Sequence, residues 1–486
     1  MAETTAIVTV IEDANKDTVI ARFEGLGRTI SDSMSNSDSN FKITCDDSEL
    51  AGIKAEADVE DIISQGELDK LHIRRAYTSV SFSQTINPDT SATPNGSAHN
   101  WGLSRCTQLD NESLSTTINL PNNGSAVNCV IIDTGVMVNH PEFLDSQNNS
   151  RVNQVAWKGG LGGSFYTDED GHGTHVAGIM CGKTQGWAKG ATILSMKIFD
   201  TDCLGVLEAL QLVKVWHKAQ VFPTVINMSW GYYKYYPSSH PSKSNSDYHP
   251  YRVSSVDAEI RDMHKAGIIC VGAAGNANHI IDRKGQSNYN DSYNTSDWWG
   301  DNYDASGPWA WYYHRGSSPA SAPGVICVGA SNKDDQRATF SNYGGRVDVY
   351  SPGRYIQSAW INTSKAQHPD NASFGLRKLS GTSMSAPQVA GIIACKLRGK
   401  NVKFRKIKRA TKRTAIQGAL DEGVRTLGNG KNRISYFPQK TQTLLNGLPK
   451  LPGKGKWFFR NGSIEVLGYN YDTFSDTDDK TLGQYL

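Results

Sequence analysis

Ser383 stands in residues 379–391 (LSGTSMSAPQVAG), on a glycine turn at the mouth of an apolar helix. A hydroxyl there is rigidly aimed and close to the positive end of the helix dipole, although the same position suits an ordinary helix cap. A serine attacks a carbonyl only when a base removes its proton and an acid orients that base. Both candidates lie upstream. Residues 128–135 (NCVIIDTG) end an apolar run in Asp133, so a buried strand would deliver a carboxylate to the sheet edge where a βα crevice opens. The alternative is an Asp that caps the next turn. Residues 170–178 (DGHGTHVAG) set His172 between two glycines, ahead of a helix of small residues that other backbones can approach. His172 and His175 also read as a metal pair, but their spacing has no Glu beside it on the same helix, and His175 reads as structural. Residues 271–276 (VGAAGN) end an apolar strand in Asn276. Its amide can donate to an oxyanion beside the Ser383 N–H, or merely mark a turn.

The order of these four, carried by DTG, HGTHVAG, AAGN and GTSMSAP, resembles the subtilisin family of serine proteases over residues 101–397. Residues 140–143 (HPEF), 186–189 (GWAK) and 340–344 (FSNYG) resemble its proteinase K branch, and 101–105 (WGLSR) resembles the mature N-terminus of such enzymes. The resemblance implies a serine endopeptidase that needs no cofactor for catalysis. Asp133 would hold the His172 tautomer, His172 would shuttle the proton, and Ser383 would form an acyl-enzyme. Asn276 and the Ser383 N–H would form the oxyanion hole. Ser229, Trp230 and Gly231 would pair with the backbone of a polypeptide substrate, with Ala273, Ala274 and Gly275 as the opposite wall, so the substrate would bind as an added strand. The small, uncharged walls suit apolar or aromatic side chains before the scissile bond. Pro323, Val325 and Asp348 match positions that hold calcium through two carbonyls and a carboxylate, an oxygen set suited to that ion. Otherwise Asp348 caps a turn.

The elements that must position these groups are legible as apolar runs. Candidate strands lie at 127–133, 193–199, 224–228, 268–273 and 325–330, with helices at 204–217 and 255–265 between them. This is the pattern of an α/β fold: a doubly wound, mostly parallel sheet with helices on both faces and its chemistry at the carboxyl ends of the strands. The catalytic domain is expected over 101–443. Two aromatic-rich insertions, 232–251 and 277–318, have neither helical nor strand periodicity and read as surface loops. They would serve as a recognition rim, as a docking surface for a larger assembly, or simply pack onto the body.

Residues 1–87 read as a small α+β unit, with strands at 6–10, 19–23 and 59–63 and a short helix at 48–55. Residues 46–62 resemble the inhibitory prodomain of subtilases, and 88–100, rich in Ser, Thr, Pro and Asn, read as a linker. The N-terminal segment is therefore expected to assist folding, plug the groove as an intramolecular inhibitor, and be cut within 88–100; an uncleaved partner-binding unit is the alternative. Residues 444–486 form a C-terminal appendage with an acidic tail.

With 38% hydrophobic residues in 486, the chain can build a sizeable core, and a net charge of +2 supplies no strong field for nucleic acid or membrane. The basic run at 396–413, including Lys403, Arg405, Lys406, Lys408, Arg409, Lys412 and Arg413, reads as a solvated helix face rather than a nucleic-acid contact. The 8 cysteines contain no C-x-x-C pair and fall largely on buried elements, as free thiols would. Residues 1–18 lack the basic start, apolar core and cleavage site of a signal peptide, and no run approaches a membrane span. Residues 212–231 resemble subtilases encoded by tailed phages of marine bacteria, so the expected setting is cytoplasmic or virion-associated. A second reading follows: a structural or docking protein of a virion on a subtilase scaffold, with little or single-turnover proteolysis.

Overall fold

The computed structural model describes residues 3–68, 71–75, 100–107, 123–154, 167–199, 203–236, 247–284, 286, 316–362, 366–397, 401–422, 426–428, 430–436, 456–460 and 463–467. At the N-terminus, strands β1 (Glu3–Val10), β2 (Thr29–Asp32), β3 (Asn40–Asp46) and β4 (Val59–Ser64) form an antiparallel sheet in the order β2-β3-β1-β4. Helices α1 (Lys16–Gly25) and α2 (Leu50–Lys54) cover it. Val8, Phe41, Ile43 and Ile62 of the sheet pack with Val19 and Phe23 of α1 and Ile53 of α2. The stretch 19–23, expected as a strand, is thus helical. Asn15 caps the helix by accepting from the Thr18 N–H at 3.0 Å, and Val19 and Phe23, four residues apart, share its buried face.

After this unit comes β5 (Leu71–Arg75), an edge strand of a three-stranded sheet with two later strands. In the rest of the chain, β6 (Asn128–Asp133), β7 (Val152–Gln154), β8 (Thr192–Lys197) and β9 (Thr224–Met228) belong to a nine-stranded sheet. Next come β10 (Trp230–Tyr236) and β11 (Asp247–Pro250), an antiparallel hairpin outside that sheet. The large sheet continues with β12 (Ile269–Ala273), β13 (Val325–Ser331) and β14 (Val349–Pro352). A further antiparallel sheet comprises β15 (Ile356–Trp360), β16 (Ala366–His368) and β17 (Asn371–Leu379). The short strands β18 (Ile416–Gln417) and β19 (Arg433–Ile434) close one edge of the large sheet, whose order is β18-β19-β14-β13-β12-β9-β6-β8-β7. Every pairing in it is parallel except β18 with β19. In the appendage, β20 (Lys456–Arg460) pairs with β21 (Ser463–Leu467).

Helices α3 (His172–Cys181) and α6 (Thr382–Leu397) lie on one face of the large sheet, and α4 (Cys203–Lys218) and α5 (Ser254–Lys265) on the other. The continuous apolar runs explain this arrangement. Along β6, Cys129 and Ile131 pack toward α3 and α6, whereas Val130 and Ile132 pack toward α4 and α5. A strand buried on both faces has no polar alternation to show. Helix α7 (Phe404–Thr414) follows, with Phe404 and Ile407 buried. Among the described residues, no helix is long and apolar enough to cross a membrane. Seven described cysteines are buried and free.

The insertion at 232–251 departs from the loop expectation, since β10 and β11 occupy both of its ends. Tyr232, Tyr233, Tyr235 and Tyr236 are strand-favouring residues, and pairing from Tyr233↔Pro250 to Tyr236↔Asp247 fixes the hairpin. Its tip, 237–246, and most of the second insertion, 287–315, lie outside the described residues, as does the linker stretch 88–99.

The N-terminal unit docks on α5 through buried polar contacts. Ser37 Oγ donates to Glu259 and Ser39 Oγ to Asp262, both at 2.8 Å, and Asn40 Nδ2 donates to the Ser255 carbonyl at 3.2 Å. Arg261 with Glu60 (2.9 Å) adds a charged rim. From this base β5 reaches β10 and pairs antiparallel with it, from Trp230↔Arg75 to Lys234↔Leu71.

Candidate active site

Strand β6 ends in Asp133 and helix α3 begins with His172, so sheet and helix deliver the two groups to one point. Both are buried, and His172 Nδ1 lies 2.7 Å from Asp133 Oδ1. With a carboxylate as partner, Nδ1 carries the proton and donates, which leaves Nε2 as the basic nitrogen. Asp133 Oδ1 also accepts from the Thr134 N–H at 2.8 Å. The turn into α3 is organised by a residue that no motif had marked, the buried Asp168. Its Oδ1 accepts from the Thr134 hydroxyl and the Gly171 N–H, both at 2.8 Å, and its Oδ2 from the Thr174 N–H at 2.9 Å. The glycines flanking His172 are required sterically. Gly171 has φ +96°, and a Cβ there would enter the Trp360 ring; a Cβ on Gly173 would lie 2.1 Å from the Gly135 carbonyl oxygen.

His175 takes no part in a metal pair. Its Nε2 donates toward the Arg377 and Ile356 carbonyls, at 2.9 and 3.1 Å. Burial lowers its pKa to about 3, so the ring is neutral.

Ser383 is the second residue of α6. Its Oγ donates to the Ser229 carbonyl at 3.0 Å, while Ser229 Oγ donates to the Ser383 carbonyl at 3.0 Å. Asn227 Nδ2 donates to Ser229 Oγ at 2.8 Å and completes this reciprocal lock. The Trp230 indole donates to the Ile132 carbonyl at 2.9 Å, tying the same edge to the strand that carries Asp133. Trp230 therefore offers the groove its backbone only, because its ring is buried.

Asn276 meets Thr382, the neighbour of Ser383, with its amide orientation fixed. Oδ1 accepts from the Thr382 N–H and from Thr382 Oγ1, both at 2.9 Å, and Thr382 Oγ1 accepts from the Gly275 N–H at 3.1 Å. The amide NH2 must then point the other way, and Asn276 Nδ2 has no hydrogen-bond partner among the described residues. A buried donor left open beside a serine hydroxyl at a helix N-terminus is a geometry that can hold an oxyanion. The wall formed by Ala273, Ala274 and Gly275 is held from behind, since Asn342 Nδ2 donates to the Ala274 carbonyl at 2.8 Å.

The expected calcium ligands do not fit a metal ion. Asp348 is buried and its carboxylate already meets four cationic side chains: Lys408 (2.8 Å) and Arg346 (3.0 Å) on Oδ2, Lys412 (2.6 Å) and Arg283 (2.8 Å) on Oδ1. The Val325 carbonyl accepts from Lys408 Nζ at 2.8 Å and Arg346 Nη2 at 3.0 Å. Burial alone would raise the Asp348 pKa, but the Lys408, Arg346 and Lys412 charges hold it well below the usual carboxylate range. Pro323 is exposed. A divalent cation here would face donors already engaged and a surplus of positive charge. Of the basic run, Lys403, Arg405, Lys406, Arg409 and Arg413 are exposed, as a solvated helix face requires, whereas Lys408 and Lys412 turn inward to Asp348.

Residues 124–446 match the subtilase family. The chain is similar to the subtilisin-like proteinase Mp1 of Magnaporthiopsis poae, 30% identical over 302 residues, which is 60% of this chain and 58% of that protein. It is also similar to alkaline protease 1 of Emericella nidulans, 30% identical over 298 residues (60% of this chain, 57% of that protein). An extracellular serine proteinase of Thermus sp. (strain Rt41A) is 32% identical over 302 residues (60% and 56%). The chain thus spans little more than half the length of these relatives. Among solved structures it is similar to a cold-adapted subtilisin-like serine proteinase, with a TM-score of 0.50 and 25% identity, covering 69% of this chain and 97% of that one.

Proposed function

The chain belongs to the subtilase family, and from that premise we propose that it is a serine endopeptidase acting through Ser383, His172 and Asp133. The observation that carries the reading is the open Asn276 amide, locked by Thr382 beside a serine at a helix N-terminus. The Ser383 hydroxyl leaves the Ser229 carbonyl and attacks the peptide carbonyl carbon as His172 Nε2 takes its proton. Asp133 stabilises the imidazolium through the Nδ1 hydrogen bond. The oxyanion accepts from Asn276 Nδ2 and the Ser383 N–H. Collapse breaks the C–N bond, His172 returns the proton to the leaving amine, and water hydrolyses the acyl-enzyme by the same route. A fluorophosphonate probe tests this: it should label the parent chain at Ser383 and leave Ser383→Ala unlabelled. Absence of labelling in a folded, groove-free sample would defeat the assignment and favour a scaffold role.

The N-terminal unit acts as an intramolecular inhibitor and first substrate on this reading. Its support is β5, which lies as an added strand on the edge that follows Ser229. The antiparallel register ends at Trp230↔Arg75, next to Ser229, and on this reading the first cut falls at the peptide bonds just after Arg75. That site lies upstream of 88–100, the stretch suggested by composition.

A further inference from the structure

We propose that Tyr233, supplied by the inserted hairpin, is a specificity-determining residue that lengthens the substrate edge and reaches over to the opposite wall. The inference rests on the endopeptidase reading. Along an antiparallel strand, successive residues turn their N–H and C=O to opposite neighbours. The Tyr232 N–H donates to the Ser318 carbonyl at 3.0 Å and its C=O accepts from the Tyr251 N–H at 2.9 Å, so Tyr232 faces away from the groove. Gly231 and Tyr233 therefore face β5, opposite Arg74 and His72. By the same alternation the Ser229–Gly231 edge offers two such residues, Ser229 and Gly231, and the hairpin adds a third. The side chains follow the same alternation. Trp230 and Tyr232 are buried together on one face, ring centroids 5.7 Å apart, and Tyr233 lies on the other. Its hydroxyl comes within 3.8 Å of where a Cβ on Gly275 would stand, next to Asn276.

Counting from Ser229, whose carbonyl touches the Ser383 hydroxyl, the third residue before the scissile bond falls opposite Gly231 and the fifth opposite Tyr233. The favoured substrate is thus an extended polypeptide with at least five residues before the cut and a free N–H at the fifth. The test uses the processed chain and three fluorogenic peptides of one sequence: three residues before the cleaved amide, six, and six with the fifth N-methylated. The six-residue peptide should have a kcat/KM higher by about tenfold, N-methylation should remove that gain, and Tyr233→Phe should keep it. Tyr233→Pro, which deletes the N–H, should cleave long and short peptides alike. Equal rates for short and long peptides in the parent chain, or no effect of N-methylation, would overturn the extension while leaving the endopeptidase standing. No cleavage of any peptide would overturn both.

A second inference rests on a different observation. We infer that Lys408 occupies the place of the metal between the Val325 carbonyl and Asp348, so this corner of the fold is held by an internal ammonium ion and not by calcium. Lys408 Nζ contacts both groups at 2.8 Å, and α7 delivers Lys412 to the other carboxylate oxygen at 2.6 Å. Thermal unfolding of the full chain carrying Ser383→Ala tests it. The melting temperature should be the same in millimolar calcium and in chelator, and Lys408→Met should lower it by about 5 °C or more. A calcium-dependent rise in the parent that Asp348→Asn abolishes would overturn the inference, whether or not Lys408→Met folds. So would a Lys408→Met chain as stable as its parent.

Discussion

Thr382 holds Asn276 twice, through its backbone N–H and its hydroxyl, each 2.9 Å from the same amide oxygen. The neighbour of Ser383 thereby aims the Asn276 amide proposed as the oxyanion donor, so loop and helix cannot drift apart without breaking both bonds. Asn276→Ala should lower kcat by about 10²–10³-fold with KM nearly unchanged, a magnitude carried over from an oxyanion donor in a subtilisin, a relative, rather than derived from this geometry. Thr382→Val keeps the N–H bond and loses the hydroxyl, so its loss should be nearer tenfold. Steady-state kinetics on one peptide separates the two; a loss confined to KM would remove Asn276 from the transition state.

Asp133→Asn should leave the fold intact and reduce kcat by about 10⁴-fold, because an amide can donate to Nδ1 and favour the wrong ring tautomer. Fluorophosphonate labelling should slow in parallel. Near-normal labelling would mean that the 2.7 Å contact orients the ring without fixing its proton.

The body of the protein should be acid-labile. Burial lowers His175 to about 3 and His140 to about 4, from 6.5. Glu142 is held at about 2, below 4.5, because hydrogen bonds from His368, Thr184 and Gln185 outweigh its burial. In each case the unfolded chain binds the proton first, so stability rises with pH across the interval between the two values. The histidine contribution is complete above about pH 6.5 and lost toward pH 3; the Glu142 contribution is complete above about pH 4.5 and lost toward pH 2. Melting curves of the Ser383→Ala chain should therefore fall steadily below pH 6. Glu142→Gln should flatten only the most acidic part of that slope.

Intact mass distinguishes the two candidate cut sites. A parent chain processed through the β5 register should lose a fragment ending just beyond Arg75, and one processed in the linker a fragment ending within 88–100. Ser383→Ala should keep its N-terminus in either case. A parent chain that stays whole while it hydrolyses peptides would show that the N-terminal unit is no substrate.

The parts of the site legible in the sequence were those with steric signatures. Gly171 and Gly173 mark a loop where other chains crowd His172, and the buried run into Asp133 marks a strand covered on both faces. Asp168 escaped notice because its work is hydrogen bonding to backbone, which leaves no spacing to read. The stretch 19–23 reads as a strand because a short apolar run fits either period, and the cap at Asn15 decides for the helix α1. Tyr233 lay hidden in a stretch whose Ser, His and Pro content suggests a loop, although its tyrosines favour a strand. The solvated face of the basic helix α7 is legible in its charge, but charge alone does not tell that Lys408 and Lys412 turn toward a buried carboxylate some sixty residues upstream.

The pairing of β5 with β10 has a kinetic consequence. A strand tethered to the enzyme competes for the edge at an effective concentration on the order of millimolar, whatever the amount of protein present. On the inhibitor reading proposed above, free peptides would have to exceed that level to be served, and the uncut chain would be silent even when crowded with substrate. Were the tether severed, as that reading proposes, the same strand would become an ordinary solute whose hold weakens with dilution, and the onset of activity would be set by the volume into which the protein is released.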